Sequence, residues 1–255
     1  MSYILEVQSV SRQFGGLIAV NELSFGIEAG SINALIGPNG AGKTTLFNLI
    51  TGQISTSSGN ILFENASVQG LQPYQRVKLG LARTFQATIL YNDSTVFENV
   101  LRSLYASHPP SWKSYVTGLR AFVEYKDKQI IRANELLDFV NLLPFKNNLA
   151  KNLAYGHQKA LGIAIGLSSS PKIFMLDEPV AGMNAGESEQ ISNLIRKINK
   201  SGVTVLIVEH DMNFVMSLCK NIIVINNGKK IAEGSPEEIQ NNPDVIAAYL
   251  GAEDA

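Results

Sequence analysis

The sequence predicts an α/β domain with a helical lobe inserted in it, and three observations carry that prediction. A glycine-rich loop, Gly37-Pro-Asn-Gly-Ala-Gly-Lys43-Thr44, stands between a short apolar strand candidate and a helix candidate. Strand-like apolar runs separated by helical patterns return after residue 172, as parallel βαβ units do. Between these parts, over about 96–165, the apolar residues keep helical spacing. Residues 1–95 and 166–255 are therefore read as one α/β core with 96–165 as the helical insertion.

Taken in order, Tyr3-Ile-Leu-Glu-Val-Gln-Ser-Val10 is rich in strand formers, and Leu23-Ser-Phe-Gly-Ile-Glu28 alternates apolar and polar residues. Residues 3–30 thus read as strands. Ser31-Ile-Asn-Ala-Leu-Ile36 is the strand entering the glycine loop, and Thr45-Leu-Phe-Asn-Leu-Ile50 the helix leaving it. Gly59–Glu64 is a further predicted strand. Pro73–Leu79 is a predicted short helix with proline in its first turn. The pattern is helical from Val96 to about Leu143, broken at His108-Pro109-Pro110. A strand is predicted from Lys172 to Leu176, a helix from Ala185 to Lys200, a strand from Val203 to Val208 and a helix from Asp211 to Leu218. Asn226-Asn-Gly228 is a hairpin turn signal, and two short helices are expected after Pro236 and Pro243.

Composition narrows the function. The chain has 255 residues, 45% hydrophobic and 17% charged, with a formal net charge of −1. There is no Lys/Arg-rich run, so nucleic acid is disfavoured as a partner. Cys219 is the only cysteine, which excludes an intrachain disulfide and fits a reducing compartment. The N-terminus lacks the basic-then-apolar signature of a secretory signal, and no stretch reaches the about 18 apolar residues needed to span a bilayer. Work at a membrane would need another chain as anchor. His108, His157 and His210 are scattered and give no metal-ligand spacing.

The loop matches G-x-x-x-x-G-K-[ST] in the strand–loop–helix context that makes the pattern a phosphate site. Gly37, Gly40 and Gly42 let the backbone curl so that consecutive N–H groups point inward, and Pro38, Asn39 and Ala41 complete the curl. The helix that begins near Thr45 adds the positive end of its dipole. Lys43 can reach β- and γ-phosphates, and Thr44 offers a hydroxyl to Mg²⁺. Ile173-Phe-Met-Leu-Asp177-Glu178 is an apolar run ending in two carboxylates, which a buried strand would deliver to the ligand edge of the sheet. Asp177 suits the outer coordination of Mg²⁺, and Glu178 suits a base that polarises an attacking water. Gln86 could serve as a neutral ligand to the metal or the water. His210 ends another apolar run and could touch a γ-phosphate.

These motifs, with Asn152-Leu-Ala-Tyr-Gly156, follow one another in the order and spacing of an ABC-type ATPase. The resemblance covers essentially the whole chain. It narrows to the ATP-binding subunits of branched-chain amino-acid uptake transporters through Leu81-Ala-Arg-Thr-Phe-Gln86, Thr95-Val-Phe-Glu-Asn-Val100, Ala181-Gly-Met-Asn184 and Asn242-Pro-Asp-Val-Ile-Ala-Ala-Tyr-Leu-Gly251. The resemblance implies an antiparallel β subdomain and a helical subdomain around the nucleotide core, with ATP and Mg²⁺ as ligands. It assigns Phe14 to adenine stacking, the alternative being a core strand aromatic. It assigns Leu153, Ala154, Tyr155, Gly156 and His157 to a signature that faces the γ-phosphate of ATP held by a second ATP-binding subunit. The Gln86 loop and the helical lobe would contact integral membrane permease subunits, which receive cargo from a substrate-binding protein. A place on the cytoplasmic face of the inner membrane follows, and a heterodimer is favoured over a homodimer. Four positions depart from the common pattern. Ala154 and His157 replace serine and glutamine, Ile165 stands where an arginine is usual within Gly162-Ile-Ala-Ile-Gly166, and Asn184 replaces an acid. Alternative readings are an ABC ATPase for other cargo, such as urea or exported lipid, and a soluble ABC ATPase acting on nucleic acid.

Overall fold

The computed structural model describes residues 3–84, 90–110 and 119–250. Along the chain run β1 (Tyr3–Phe14), β2 (Leu17–Glu28), β3 (Ile32–Ile36), α1 (Lys43–Thr51), β4 (Ser58–Phe63), β5 (Ala66–Ser67), α2 (Pro73–Leu79) and β6 (Leu81–Arg83). There follow α3 (Val96–Ser107), α4 (Leu119–Phe139), α5 (Tyr155–Leu167), β7 (Ile173–Asp177), α6 (Ala185–Lys200), β8 (Thr204–Val208) and α7 (Met212–Leu218). The chain closes with the hairpin β9 (Asn221–Asn226) and β10 (Lys229–Gly234), then α8 (Pro236–Gln240) and α9 (Pro243–Leu250).

Two sheets and a helical layer result. The larger sheet has the order β10-β9-β3-β8-β7-β6, parallel throughout except for β10. The smaller is antiparallel, in the order β2-β1-β4-β5. Side chains alternate across the larger sheet. Phe174, Leu176, Val205, Ile207, Ile222 and Val224 face the helices, whereas Ile173, Met175, Leu206, Val208, Ile223 and Ile225 face α1 and the smaller sheet. Burial on both faces is why β7 and β8 read as nearly continuous apolar runs and β3 as one interrupted only by the buried Asn33. Leu46, Phe47, Leu49 and Ile50 bury α1 between the two sheets. On the other side, Val96, Val100 and Leu104 of α3 pack with Ala133 and Leu137 of α4 and with α5.

Most predicted elements stand within one or two residues of their expected bounds. The three-residue β6 was not predicted, being too short to show a period. The helix after the loop begins at Lys43, and α3 stops at Ser107, before the Pro109-Pro110 pair. Gln86 lies outside the described residues. Among those described, no helix is long and apolar enough to cross a membrane.

Candidate functional site

Strand register sets the site. Val208 stands opposite Leu35 on one side and Asp177 on the other. The segments leaving β3, β8 and β7 therefore emerge side by side at the carboxyl edge of the sheet: Gly37 and its loop, Glu209-His210, and Glu178. Ligands of open α/β sheets bind at this edge.

The loop is held by close backbone contacts. A Cβ at residue 37 would lie 2.0 Å from the Ile225 carbonyl oxygen, and one at residue 42 would lie 2.4 Å from that of Ala19. Both glycines also have positive φ, 154° and 104°. The β9–β10 turn clasps the loop: the Gly228 N–H donates to the Ala41 carbonyl at 3.0 Å, while the Gly228 carbonyl accepts from the Asn21 N–H at 2.8 Å. Lys43 lies back over the loop, its Nζ donating to the carbonyls of Gly37 at 2.6 Å and Pro38 at 2.9 Å. Burial lowers the Lys43 pKa, opposed by the charges of Glu178 and Asp177. No side chain caps the start of α1, and no acid sits in its first turn. Its N-terminal N–H groups and dipole therefore face a cleft of about 460 Å³ that Thr44, Lys43, Glu178 and Asn227 help to line. The fit is to a phosphate chain: glycines where no Cβ fits, a helix start without an internal anion, and one lysine.

The acidic side is more tightly built. Asp177 pairs with Arg83, whose Nη2 donates to Oδ2 at 2.5 Å, and both side chains are nearly buried. The second terminal nitrogen of Arg83, Nη1, donates to Asn48 Oδ1 of α1 at 2.6 Å, tying the helix after the glycine loop to the acidic strand end. Glu178 has a left-handed backbone, φ 46°. Its N–H donates to the Val208 carbonyl at 2.9 Å. Glu209 is buried; its Oε1 accepts from the Val180 N–H at 2.9 Å and its Oε2 from the His210 N–H at 3.1 Å. Burial raises the Glu209 pKa against these hydrogen bonds.

Not all predicted residues gather here. Ala154 is the N-cap of α5, and Tyr155, Gly156 and His157 form its first turn. Gly156 and His157 line a different cleft with Glu187, Asn193 and Lys197. No side chain caps that helix, so its start also offers backbone donors. His157 lies against Phe145, ring centroids 4.6 Å apart, and the Tyr155 hydroxyl donates to the Ala181 carbonyl at 3.1 Å. Phe14 is exposed at the end of β1, covered on one face by the Arg12 guanidinium at 4.5 Å. Beside it across the hairpin, the exposed Leu17 and Ile18 line the phosphate cleft. Asn184 caps α6 by accepting from the Glu187 N–H at 3.0 Å, which gives this departure from the common acid a structural use. Gly166 is required by packing: a Cβ there would lie 2.5 Å from carbons of the buried Phe174 ring. Sequence reasoning missed the roles of Arg83, Glu209, Leu17, Ile18 and Asn227. Arg83 and Asn227 left traces, the first inside the Leu81–Gln86 run and the second inside the Asn226–Gly228 turn signal.

Comparison with known proteins places this geometry. The family model described as ABC transporter matches residues 20–181, and the model described as branched-chain amino acid ATP-binding cassette transporter matches residues 229–255. The chain is 42% identical over 252 residues to the high-affinity branched-chain amino acid transport ATP-binding protein BraF of Pseudomonas aeruginosa, covering 97% of this chain and 98% of that one. It is 41% identical over 249 residues to the corresponding protein LivG of Escherichia coli, with the same coverages. Among solved structures, an ATP-binding cassette of an ABC transporter in its ADP conformation superposes with a TM-score of 0.86 at 30% identity, over 98% of this chain and 100% of that one. A nucleotide-free cassette superposes with a TM-score of 0.84 at 30% identity, over 97% and 98%. The chain belongs to the ABC transporter family, among the ATP-binding proteins that include LivG and BraF.

Proposed function

We propose that the chain is the ATP-hydrolysing subunit of a branched-chain amino-acid importer. The reading is carried by 41–42% identity, over nearly the full length, to proteins named for that transport. The loop from Gly37 to Thr45 cradles the phosphates of ATP, with Lys43 swinging from its carbonyl partners to the β- and γ-oxygens. Leu17, Ile18 and Phe14 offer apolar surface to the base. Glu178 polarises the attacking water, and His210 approaches the γ-phosphate from the neighbouring strand end. Thr44 and Asp177 are oxygen donors suited to Mg²⁺, which when bound neutralises developing phosphate charge. Gln86 is assigned to the same ligand set.

The start of α5, from Leu153 to His157, faces the ATP of a second ATP-binding subunit, so two cassettes enclose two nucleotides. Closure on ATP and opening after hydrolysis drive the permease subunits. The chain sits at the cytoplasmic face through those permeases, the insertion over 96–165 providing the contact. The test is purification from mildly solubilised membranes followed by uptake in vesicles containing the recovered complex. Two polytopic permeases, a second cassette and ATP-dependent leucine uptake are expected. Recovery of none, or transport of urea or lipid alone, overturns the cargo assignment.

A further inference from the structure

We propose that Glu209 is the positioning residue that aims both Glu178 and His210. The inference rests on the hydrolytic reading above. The turn after β7 carries Glu178 in the left-handed region, and such a conformation persists only where surrounding contacts over-determine it. Two contacts do so. The Glu178 N–H is tied to Val208, and two residues later the Val180 N–H is tied to the Glu209 carboxylate. The second oxygen of that carboxylate holds the backbone N–H of His210, so one side chain fixes the segments on both sides of the reacting phosphate.

A carboxylate suits this place because it presents two acceptors and no donor. A glutamine at the same position would set its NH₂ against one of the two N–H groups. Burial of the charge is otherwise unfavourable. Asp177, the other buried acid among the described residues, has Arg83 as partner, whereas the ionisable side chain beside Glu209 is the exposed imidazole of His210, its Nδ1 3.7 Å from Oε2. Backbone donors on two functional segments, Val180 on one and His210 and Asp211 on the other, account for a buried acid that packing alone would not select.

The experiment compares wild type, Glu178→Gln and Glu209→Gln in the co-purified complex, by ATP titration, steady-state hydrolysis and amide exchange. Glu209→Gln is expected to keep its ATP affinity and KM within about threefold and to lose about 100-fold in kcat, the scale of a misplaced catalytic group. Exchange over the turn containing Val180 should quicken. Turnover within twofold of wild type in Glu209→Gln, with Glu178→Gln inactive, overturns the positioning role and leaves the hydrolytic reading standing. Full turnover in Glu178→Gln overturns the hydrolytic reading and this inference with it. Should Glu209→Gln fail to fold, wild-type exchange still decides: the Val180 and His210 amides must be as protected as those of β8, and rapid exchange at either refutes the clamp.

Discussion

Glu178 carries a backbone conformation that favours glycine, and it does so where the proposed hydrolysis places its base. Glu178→Gln should keep nucleotide binding and lose at least about 100-fold in hydrolysis, measured by phosphate release. Lys43→Ala should weaken ATP binding, read by titration with a fluorescent nucleotide. Arg83→Met makes a different prediction. It leaves Asp177 buried without its ion-pair partner and should cost about 3–5 kcal/mol in chemical denaturation. The glycine loop and the Asp-Glu pair were legible in the sequence because their chemistry imposes spacing within a few residues. Arg83 and Glu209 were not, because a lone charged residue becomes a partner only through strand register, which joins positions far apart in the chain.

At the scale of elements, the phosphate helix is anchored at its far end. Arg76 is buried and donates from Nη1 to the Leu49 and Ile50 carbonyls, at 2.8 and 2.7 Å, and from Nε to Leu71. It satisfies the last turn of α1 and complements its negative pole. Arg76→Ala should cost about 2–3 kcal/mol, seen as a lowered midpoint in urea. Gly166→Ala runs against helix propensity. Alanine is the better helix former, yet the added Cβ meets Phe174, so thermal stability should fall, and Phe174→Leu in the same chain should restore part of it. The unusual glycine was visible in the sequence, but its cause was not, since Phe174 belongs to another element. Thr95-x-x-Glu98 and Ser235-x-x-Glu238 are capping boxes at the observed helix starts.

For the molecule as a whole, the larger sheet is the partition between two cores. Cys219 sits in the helical one, buried, with its thiol pushed up to about 12 by loss of solvent. At pH 8 it should resist thiol reagents in the native state and label only as fast as the fold opens, so its modification rate under urea reports global stability. The architecture was readable because the period-2 and helical patterns are strong. The order of strands was not, since β3 lies between two strands that come far later in the chain. That order has a consequence for biosynthesis. The phosphate loop emerges from the ribosome early, but both neighbours of its strand, and the Gly228 turn that clasps it, are made near the end. Such late pairing slows folding. A nascent chain must therefore pass through most of its own synthesis before the strand that carries the loop has both neighbours and the loop its clasp.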